Sequence, residues 1–356
     1  MRIVLATDAW HPQVNGVVRT LDTVVRHLNK AGHEVLTVTP EQFRTIPCPT
    51  YPEIRLALGA GPKIRKLITA FEPDAVHIAT EGPIGQAAAR LCRNRGWPFT
   101  TSFHTKFPEY IHARTRLPIA WSYAWLRRFH RHAHKVMVAT ATIDRELRGW
   151  GFDNTARWTR GVDTELFRPR PHDEWPADIR DLPRPLQLYT GRVAVEKNIS
   201  AFLELETDGT KVVVGDGPQR RDLETRFPDV VFVGEQHGEA LARHFAAADV
   251  FVFPSRTDTF GLVLLEALAC GVPVAAYPVP GPLDVVGLNG PGCLDEDLAR
   301  AVSHAMERGT PEACRTHALG YSWENCVELF VSHLARIGEN PEQTTAEQPR
   351  PANGSG

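Results

Sequence analysis

Two cations and two carboxylates in the second half of this chain have the types and spacing for chemistry on a phosphorylated ligand. Arg192 and Lys197 stand five residues apart in GRVAVEKN, just after the run LQLYTG, which reads as a strand ending at Gly191. Paired cations at the mouth of a sheet suit a diphosphate, and negative charge developing on a departing nucleotide is what such groups stabilise. The plainer reading of either one alone is surface charge. Asp258 and Glu266 stand eight apart in PSRTDTFGLVLLEALACG, residues 254 to 271. Glu266 interrupts a stretch, 261 to 269, that is otherwise apolar on every side and therefore reads as a buried helix. A carboxylate in that setting needs a partner to stay ionised. Ligand hydroxyls, such as those of a ribose, are one such partner; an arginine or a neighbouring backbone group is the other.

The elements that must position these groups follow from local pattern. The apolar run 250 to 253 reads as a buried strand, Pro254 and Ser255 end it, and Arg256 to Thr259 form a polar loop. Gly271 and Pro273 stop the helix. The first N–H groups of that helix have no partner inside it, which makes a ready phosphate site at Gly261. A second such turn lies near the start of the chain. Residues 2 to 8 (RIVLATD) form a strand, WHPQVNGVV follows, and a helix pattern runs from 17 to 31 until Gly32. Asn15-Gly16 can take backbone angles that other residues resist. A glycine turn between a first strand and its helix is where doubly wound folds bind phosphates. The turn is not GxGxxG, so a nicotinamide cofactor loses support.

Strand and helix patterns alternate through the rest of the first half. DAVHIAT leads to Glu81-Gly82-Pro83 and the helix IGQAAARLC; PFTTSFHT ends in His104; KVMVATA precedes IDRELRGWG. A histidine at the C-terminal end of a strand lies on the crevice side of such a sheet. Residues 168 to 185 are rich in proline and charge and read as a linker. The alternation then restarts with LQLYTG, TKVVVGDGP and VVFVGEQ. The expected fold is therefore α/β, with two Rossmann-like domains facing across a cleft. The first spans 1–167 and the second 168–320; a last helix lies within 321–338, and the polar, proline-rich 339–356 is expected to be disordered.

Composition bounds the remaining possibilities. A chain of 356 residues with 42% hydrophobic and 23% charged side chains is an ordinary globular protein of two-domain size. It has no apolar run of about 18 residues for a transmembrane helix, and MRIVLATDAW lacks a signal-peptide pattern, so a cytoplasmic location is expected. Its six cysteines have no paired spacing and read as free thiols, and no metal site is expected. Charge is uneven: residues 1 to 170 hold 25 basic and 14 acidic side chains, and the remainder 15 and 28. A basic half suggests an anionic partner, either a membrane surface or a phosphorylated substrate, with nucleic acid a weaker fit. Within it, 106 to 135 is strongly basic, with Trp121, Trp125 and Phe129 at i, i+4, i+8. Core packing is the favoured reading of those aromatics; the alternative is a helix lying on anionic lipid.

The segment Asp-Thr-Phe-Gly at 258 to 261 with Leu265-Glu266-Ala267 and Cys270-Gly271 resembles the acidic-x7-acidic signature of retaining GT-B glycosyltransferases of family four. There the first acid is usually Glu. Gly-Arg-x4-Lys-Asn at 191 to 198 resembles the family's donor-phosphate pair, and Gly161-Val162-Asp163 its Asn-Gly-Val-Asp turn, with Arg160 in place of Asn. The resemblance covers about residues 1 to 338. It implies that Asp258 holds donor-sugar hydroxyls, Glu266 the ribose, and Arg192 and Lys197 the diphosphate. It further implies that Gly16, Phe260 and Gly261 bound the donor site and that Val233, Gly234 and Glu235 meet the nucleotide base. His104 would hydrogen-bond a sugar hydroxyl near the reacting carbon. Glu109 and Tyr110 are expected near the acceptor entrance. Gly281-Pro282 with Asp284 looks like the branch containing lipid-modifying mannosyltransferases and diacylglycerol glucosyl- or glucuronosyltransferases. The implied reaction moves a hexosyl group from UDP-glucose, UDP-glucuronate or GDP-mannose to a membrane lipid such as diacylglycerol, without metal or other cofactor. The enzyme would sit peripherally on the inner face of the cytoplasmic membrane. A soluble or polysaccharide acceptor, and a nucleotide-sugar epimerase of the same fold, are the rival readings.

Overall fold

A computed structural model describes residues 1–13, 15–48, 51–109 and 115–338. The expectations for Tyr110 and for 339–356 lie outside those residues. The first lobe begins with β1 (Arg2–Ala6), α1 (Gly16–Lys30), β2 (Glu34–Val38) and a hairpin of β3 (Thr45–Cys48) and β4 (Tyr51–Ala57). It continues through α2 (Gly61–Phe71), β5 (Ala75–Ile78), α3 (Pro83–Arg95), β6 (Thr100–Phe103) and α4 (Ile119–His130), then β7 (Val136–Val138), α5 (Ala141–Gly149) and β8 (Thr155–Arg157). The second lobe opens with β9 (Leu186–Thr190), α6 (Ile199–Leu203), β10 (Thr210–Val214), α7 (Arg220–Arg226), β11 (Val231–Gly234) and α8 (Gly238–Ala246). Next come β12 (Val250–Phe253), α9 (Leu262–Ala269), β13 (Val274–Ala276), α10 (Pro280–Val285), β14 (Gly292–Leu294) and α11 (Leu298–Arg308). Two more helices, α12 (Pro311–Leu319) and α13 (Trp323–His333), end the described chain.

Each lobe holds a parallel sheet of six strands. Their orders are β2-β1-β5-β6-β7-β8 and β11-β10-β9-β12-β13-β14. Parallel sheets covered on both faces need strands that are apolar throughout, and β5, β9 and β12 are buried along their whole length. The order reverses at β1 in one sheet and at β9 in the other. Ligands bind outside the C-terminal ends of strands at such switch points. Both chain segments that leave these points, the one before α1 and the one carrying Arg192, therefore open toward the same region.

Local chemistry sets the two helices that border it. Asn15 is extended, and its Oδ1 accepts from the N–H groups of Val17 and Val18 at 3.0 Å each, so α1 starts at Gly16. At the start of α9, Gly261 has φ +84°, and a Cβ there would come within 3.2 Å of the Phe253 ring. Only glycine makes that turn without strain. The helix has no side-chain cap, and Leu264 through Ala269 are buried.

The lobes are joined by more than the chain crossing at 168 to 185. Trp323, Cys326, Val327 and Phe330 of α13 share a buried cluster with Leu21, Val24 and Leu28 of α1 and with Trp158. Arg315 of α12 donates to the carbonyls of Thr164, Phe167 and Ala269 at 2.7–2.9 Å. The crossing stretch itself is packed: Arg170 is buried and pairs with Glu174 and Glu239.

The aromatic stripe on α4 departs from the core packing read from the sequence. Phe129 is buried, but Trp121 is 68% exposed and Trp125 54%. Four-residue steps rotate about 40° each around a helix, so two steps wind the stripe off its buried face. The face that packs inward is instead Tyr123, Leu126 and His130.

Candidate active site

Between the C-terminal ends of the two sheets lies a cleft of about 810 Å3. That volume suits a nucleotide-sized ligand. On the second-lobe wall, Lys197 Nζ lies 2.6 Å from Asp258 Oδ1. Burial alone would raise the Asp258 carboxyl, but the Lys197 ammonium wins and holds it below the usual carboxylate range. Arg192 lies 4.0 Å from Glu196, four residues on, and its carbonyl accepts from the Tyr189 hydroxyl at 2.8 Å. Phe260, Gly261 and the uncapped first turn of α9 complete this wall.

The first-lobe wall is built from Gly16, Glu81, His104 and Arg160. Behind it lies a buried network. Asp8, at the end of β1, accepts from the N–H groups of Ile84 and Gly85 and from the Thr80 hydroxyl, fixing the turn into α3. Glu81 on that turn meets His130 Nε2 at 3.0 Å. Ser102 and Thr100 flank His77, whose two ring nitrogens lie 2.9 Å from their hydroxyls. Burial, helped by the Arg160 charge, pushes His77 down to about 3. His104 is held well below its ordinary value, first by burial and then by Arg160, His77 and His130.

Two contacts tie the walls together. The Thr259 hydroxyl donates to the His104 carbonyl at 2.7 Å. Arg19 on α1 pairs with Glu266 Oε1 on α9. Glu266 is 3% exposed, so the charge on this otherwise apolar helix is answered by an arginine from the other lobe. Four buried side-chain atoms of residues that line the cleft have no protein hydrogen-bond partner, His104 Nε2, Thr190 Oγ1, Ser255 Oγ and Asp258 Oδ2, and neither does Glu266 Oε2 beside its ion pair with Arg19. Buried polar atoms are nearly always satisfied, so these four on one cleft make it the candidate ligand site.

The residues singled out from the sequence are thus distributed unevenly. Gly16, His104, Arg192, Lys197, Asp258, Phe260 and Gly261 line the cleft, as does Glu235. Val233 packs against the second-lobe core, and the Gly234 carbonyl accepts from Gly215 N at 2.8 Å. Glu109 accepts from the Tyr123 hydroxyl at 2.7 Å beside α4, and burial raises its carboxyl. Sequence reasoning missed Thr190, Ser255, Thr259 and Arg19. Thr190 ends β9 and Ser255 follows β12 closely, so the rule that strand ends face the crevice would have found them. Nothing local marks Arg19. Among the described residues no cluster of three or more histidine, cysteine or acidic side chains is disposed to hold a metal ion.

Known proteins with related sequences agree with this architecture. The model of Glycosyltransferase Family 4 matches residues 14–166, and that of Glycosyl transferases group 1 matches 184–308. The chain is 33% identical to a GDP-mannose-dependent alpha-mannosyltransferase of Mycolicibacterium smegmatis, over 95% of this chain and 98% of that protein. It is 28% identical to an alpha-monoglucosyldiacylglycerol synthase of Streptococcus pneumoniae, over 86% of this chain and 78% of that one. Anabaena HepE in complex with UDP and glucose has the same fold, with a TM-score of 0.71, 17% identity, and coverage of 93% of this chain and 98% of that one. Two parallel-sheet lobes, a polar cleft at their switch points and these matches along the chain lead to one assignment: this protein belongs to glycosyltransferase family 4, the retaining glycosyltransferases of GT-B fold.

Proposed function

We propose that the enzyme transfers a hexosyl group from a nucleoside-diphosphate sugar to a hydroxyl of a membrane lipid such as diacylglycerol. The carrying observation is the set of unpartnered buried polar atoms around the cleft, Asp258 Oδ2 and His104 Nε2 foremost, within reach of the Lys197 ammonium and the uncapped start of α9. A sugar diphosphate answers all of them. Its hydroxyls donate to Asp258 and accept from His104, and its phosphates meet Arg192, Lys197 and the first N–H groups of α9. As the glycosidic C–O bond breaks, charge grows on the diphosphate. Cations and helix N–H groups already in place stabilise that charge without reorganisation.

Lys197 then has two partners to serve. It neutralises Asp258 and is shared with a phosphate once the donor enters. Glu266 keeps one oxygen on Arg19 and leaves Oε2 for a ribose hydroxyl. Two cations stand where a metal would otherwise neutralise the diphosphate, which supports a metal-independent reaction. The departing phosphate is the proposed base for the acceptor hydroxyl.

A lipid acceptor is supported by the named specificity of the Streptococcus relative and by α4. That helix presents Trp121, Trp125, Arg127 and Arg128 to solvent. Exposed aromatics among arginines are what an anionic interface attracts, at about 1 kcal/mol per basic residue near the surface. No described helix is long and apolar enough to cross a membrane. The attachment proposed on the strength of the basic, aromatic α4 is peripheral, on the inner face. GDP-mannose is the second donor reading, favoured by the Mycolicibacterium relative. A panel of UDP-glucose, UDP-glucuronate and GDP-mannose with diacylglycerol, read by mass spectrometry, tests the proposal. Product from none of the three, with a folded enzyme, rejects it. Salt-insensitive failure to bind anionic liposomes, with transfer to a soluble acceptor, replaces the lipid.

A further inference from the structure

Arg160 is the unexplained group on the first-lobe wall. It is 3% exposed, and among the described residues no carboxylate pairs with it. Its guanidinium lies 4.1 Å over the Trp158 ring and donates to the carbonyls of Trp158 at 2.6 Å and Thr159 at 3.0 Å. Its other terminal nitrogen, Nη2, lies 3.3 Å from His104 Nδ1. Trp158 is itself fixed: its indole N–H donates to the Cys326 carbonyl of α13 at 3.1 Å, and Phe330 packs on its ring. The last described helix thus buttresses the guanidinium.

The direction of the Arg160–His104 hydrogen bond is not ambiguous. A guanidinium has five donors and no acceptor, so the imidazole nitrogen facing it must carry no proton. We propose that Arg160 is a positioning residue that holds His104 as the neutral tautomer protonated on Nε2, the atom that has no protein partner and is left to donate to the ligand. The same cation disfavours a second proton on the ring. The histidine is therefore a fixed hydrogen-bond donor rather than an acid or a base. Burial brings Arg160 down to about 10, which leaves it charged at neutral pH. The titratable groups bearing on His104 are Arg160, His77 on β5 and His130 on α4; His130 is in turn paired with Glu81. An asparagine at this position would offer both a donor and an acceptor and would impose neither tautomer nor charge.

The claim that the Nε2 proton serves a sugar hydroxyl rests on the transferase reading above; the tautomer does not, and it can be read without substrate. Nitrogen-15 histidine labelling with long-range proton–nitrogen correlation reports which ring nitrogen is protonated, and His104→Asn identifies the signal. In the full-length wild type, the expected spectrum shows Nε2 protonated and Nδ1 bare from about pH 8 down to about pH 5.5, across the ordinary imidazole value of about 6.5. In Arg160→Gln the Nδ1-protonated form should gain at least about tenfold in relative population, the equivalent of one charge-assisted hydrogen bond. Ring protonation should also move to higher pH, and the acid limb of kcat with it. Arg160→Lys, which keeps the charge and the donor, should largely restore the wild-type spectrum. A wild-type ring protonated on Nδ1, or one that titrates at the ordinary value, overturns the inference even if every variant fails to fold. So does an Arg160→Gln spectrum unchanged from wild type. A wild-type spectrum as expected, in a protein that transfers no sugar from any donor, would instead reject the proposed function and leave the Arg160 role intact.

Discussion

On the second-lobe wall of the cleft, Lys197 and Asp258 meet 2.6 Å apart on two loops that each leave the C-terminal end of a strand. On the first-lobe wall, His104 depends on Arg160, Arg160 on Trp158, and Trp158 on a helix from the far end of the chain. The second wall is assembled locally, by loops that carry their own charges and turn glycines. The first is assembled by burial, through neutral histidines and a cation enclosed among rings and carbonyls. Charges that meet a ligand directly need only be delivered to the sheet edge. A histidine that must present one particular proton needs its other nitrogen occupied, and that takes a second layer of side chains.

The sharpest way to break the comparison is to remove the buttress without touching the cleft. Phe330→Ala leaves a cavity beside Trp158 and His77 and should cost about 3–5 kcal/mol, read by urea denaturation. A loss under about 1 kcal/mol would mean that α13 does not support the first wall. The complementary change on the second wall, Lys197→Ala, should lower kcat by about a hundredfold, or 2.7 kcal/mol of transition-state stabilisation, by analogy with loss of one oxyanion donor. Wild-type turnover in that variant would remove Lys197 from the diphosphate. The third test uses protons. His77 is buried neutral, with its folded value pushed down to about 3. The unfolded chain takes up that proton first, so stability is full above about pH 6.5 and falls as pH drops from there toward about 3, by roughly 1.4 kcal/mol per unit. Denaturation midpoints at several pH values should show at least this slope, and His77→Gln should remove the His77 share of it and leave that of the likewise buried His104. The smallest effect is expected at the surface. Trp121→Ala with Trp125→Ala should change stability by under about 0.5 kcal/mol, because both rings are exposed. Sedimentation with anionic liposomes should nevertheless weaken several-fold; unchanged binding would separate α4 from the membrane.

Legibility followed the same divide. Arg192, Lys197, Asp258 and Gly261 were visible because each follows an apolar run that can only be a strand, and the rule for strand ends does the rest. For the stripe of Trp121, Trp125 and Phe129 the sequence favours core packing over a helix lying on lipid, yet only Phe129 is buried, because a four-residue repeat drifts around a helix and only the neighbours decide which of its members are covered. Glu266 was recognised as a carboxylate in need of a partner, but both kinds of partner were open. Arg19, the partner found, lies in the other lobe, and nothing in its local sequence distinguishes it from the other arginines of the same half.

By itself, the sequence determined the two rounds of strand and helix, the strand-end loops and the residue types those loops carry, because periodicity and turn chemistry act over a few residues. The tertiary structure alone decided the pairing of Arg19 with Glu266, the enclosure of Arg160 against Trp158, and the direction in which His104 offers its proton. Those depend on which surfaces meet when two lobes and a returning helix close on one another, and burial, which turns an ordinary side chain into a fixed donor or a paired charge, is a property of the neighbours rather than of the residue.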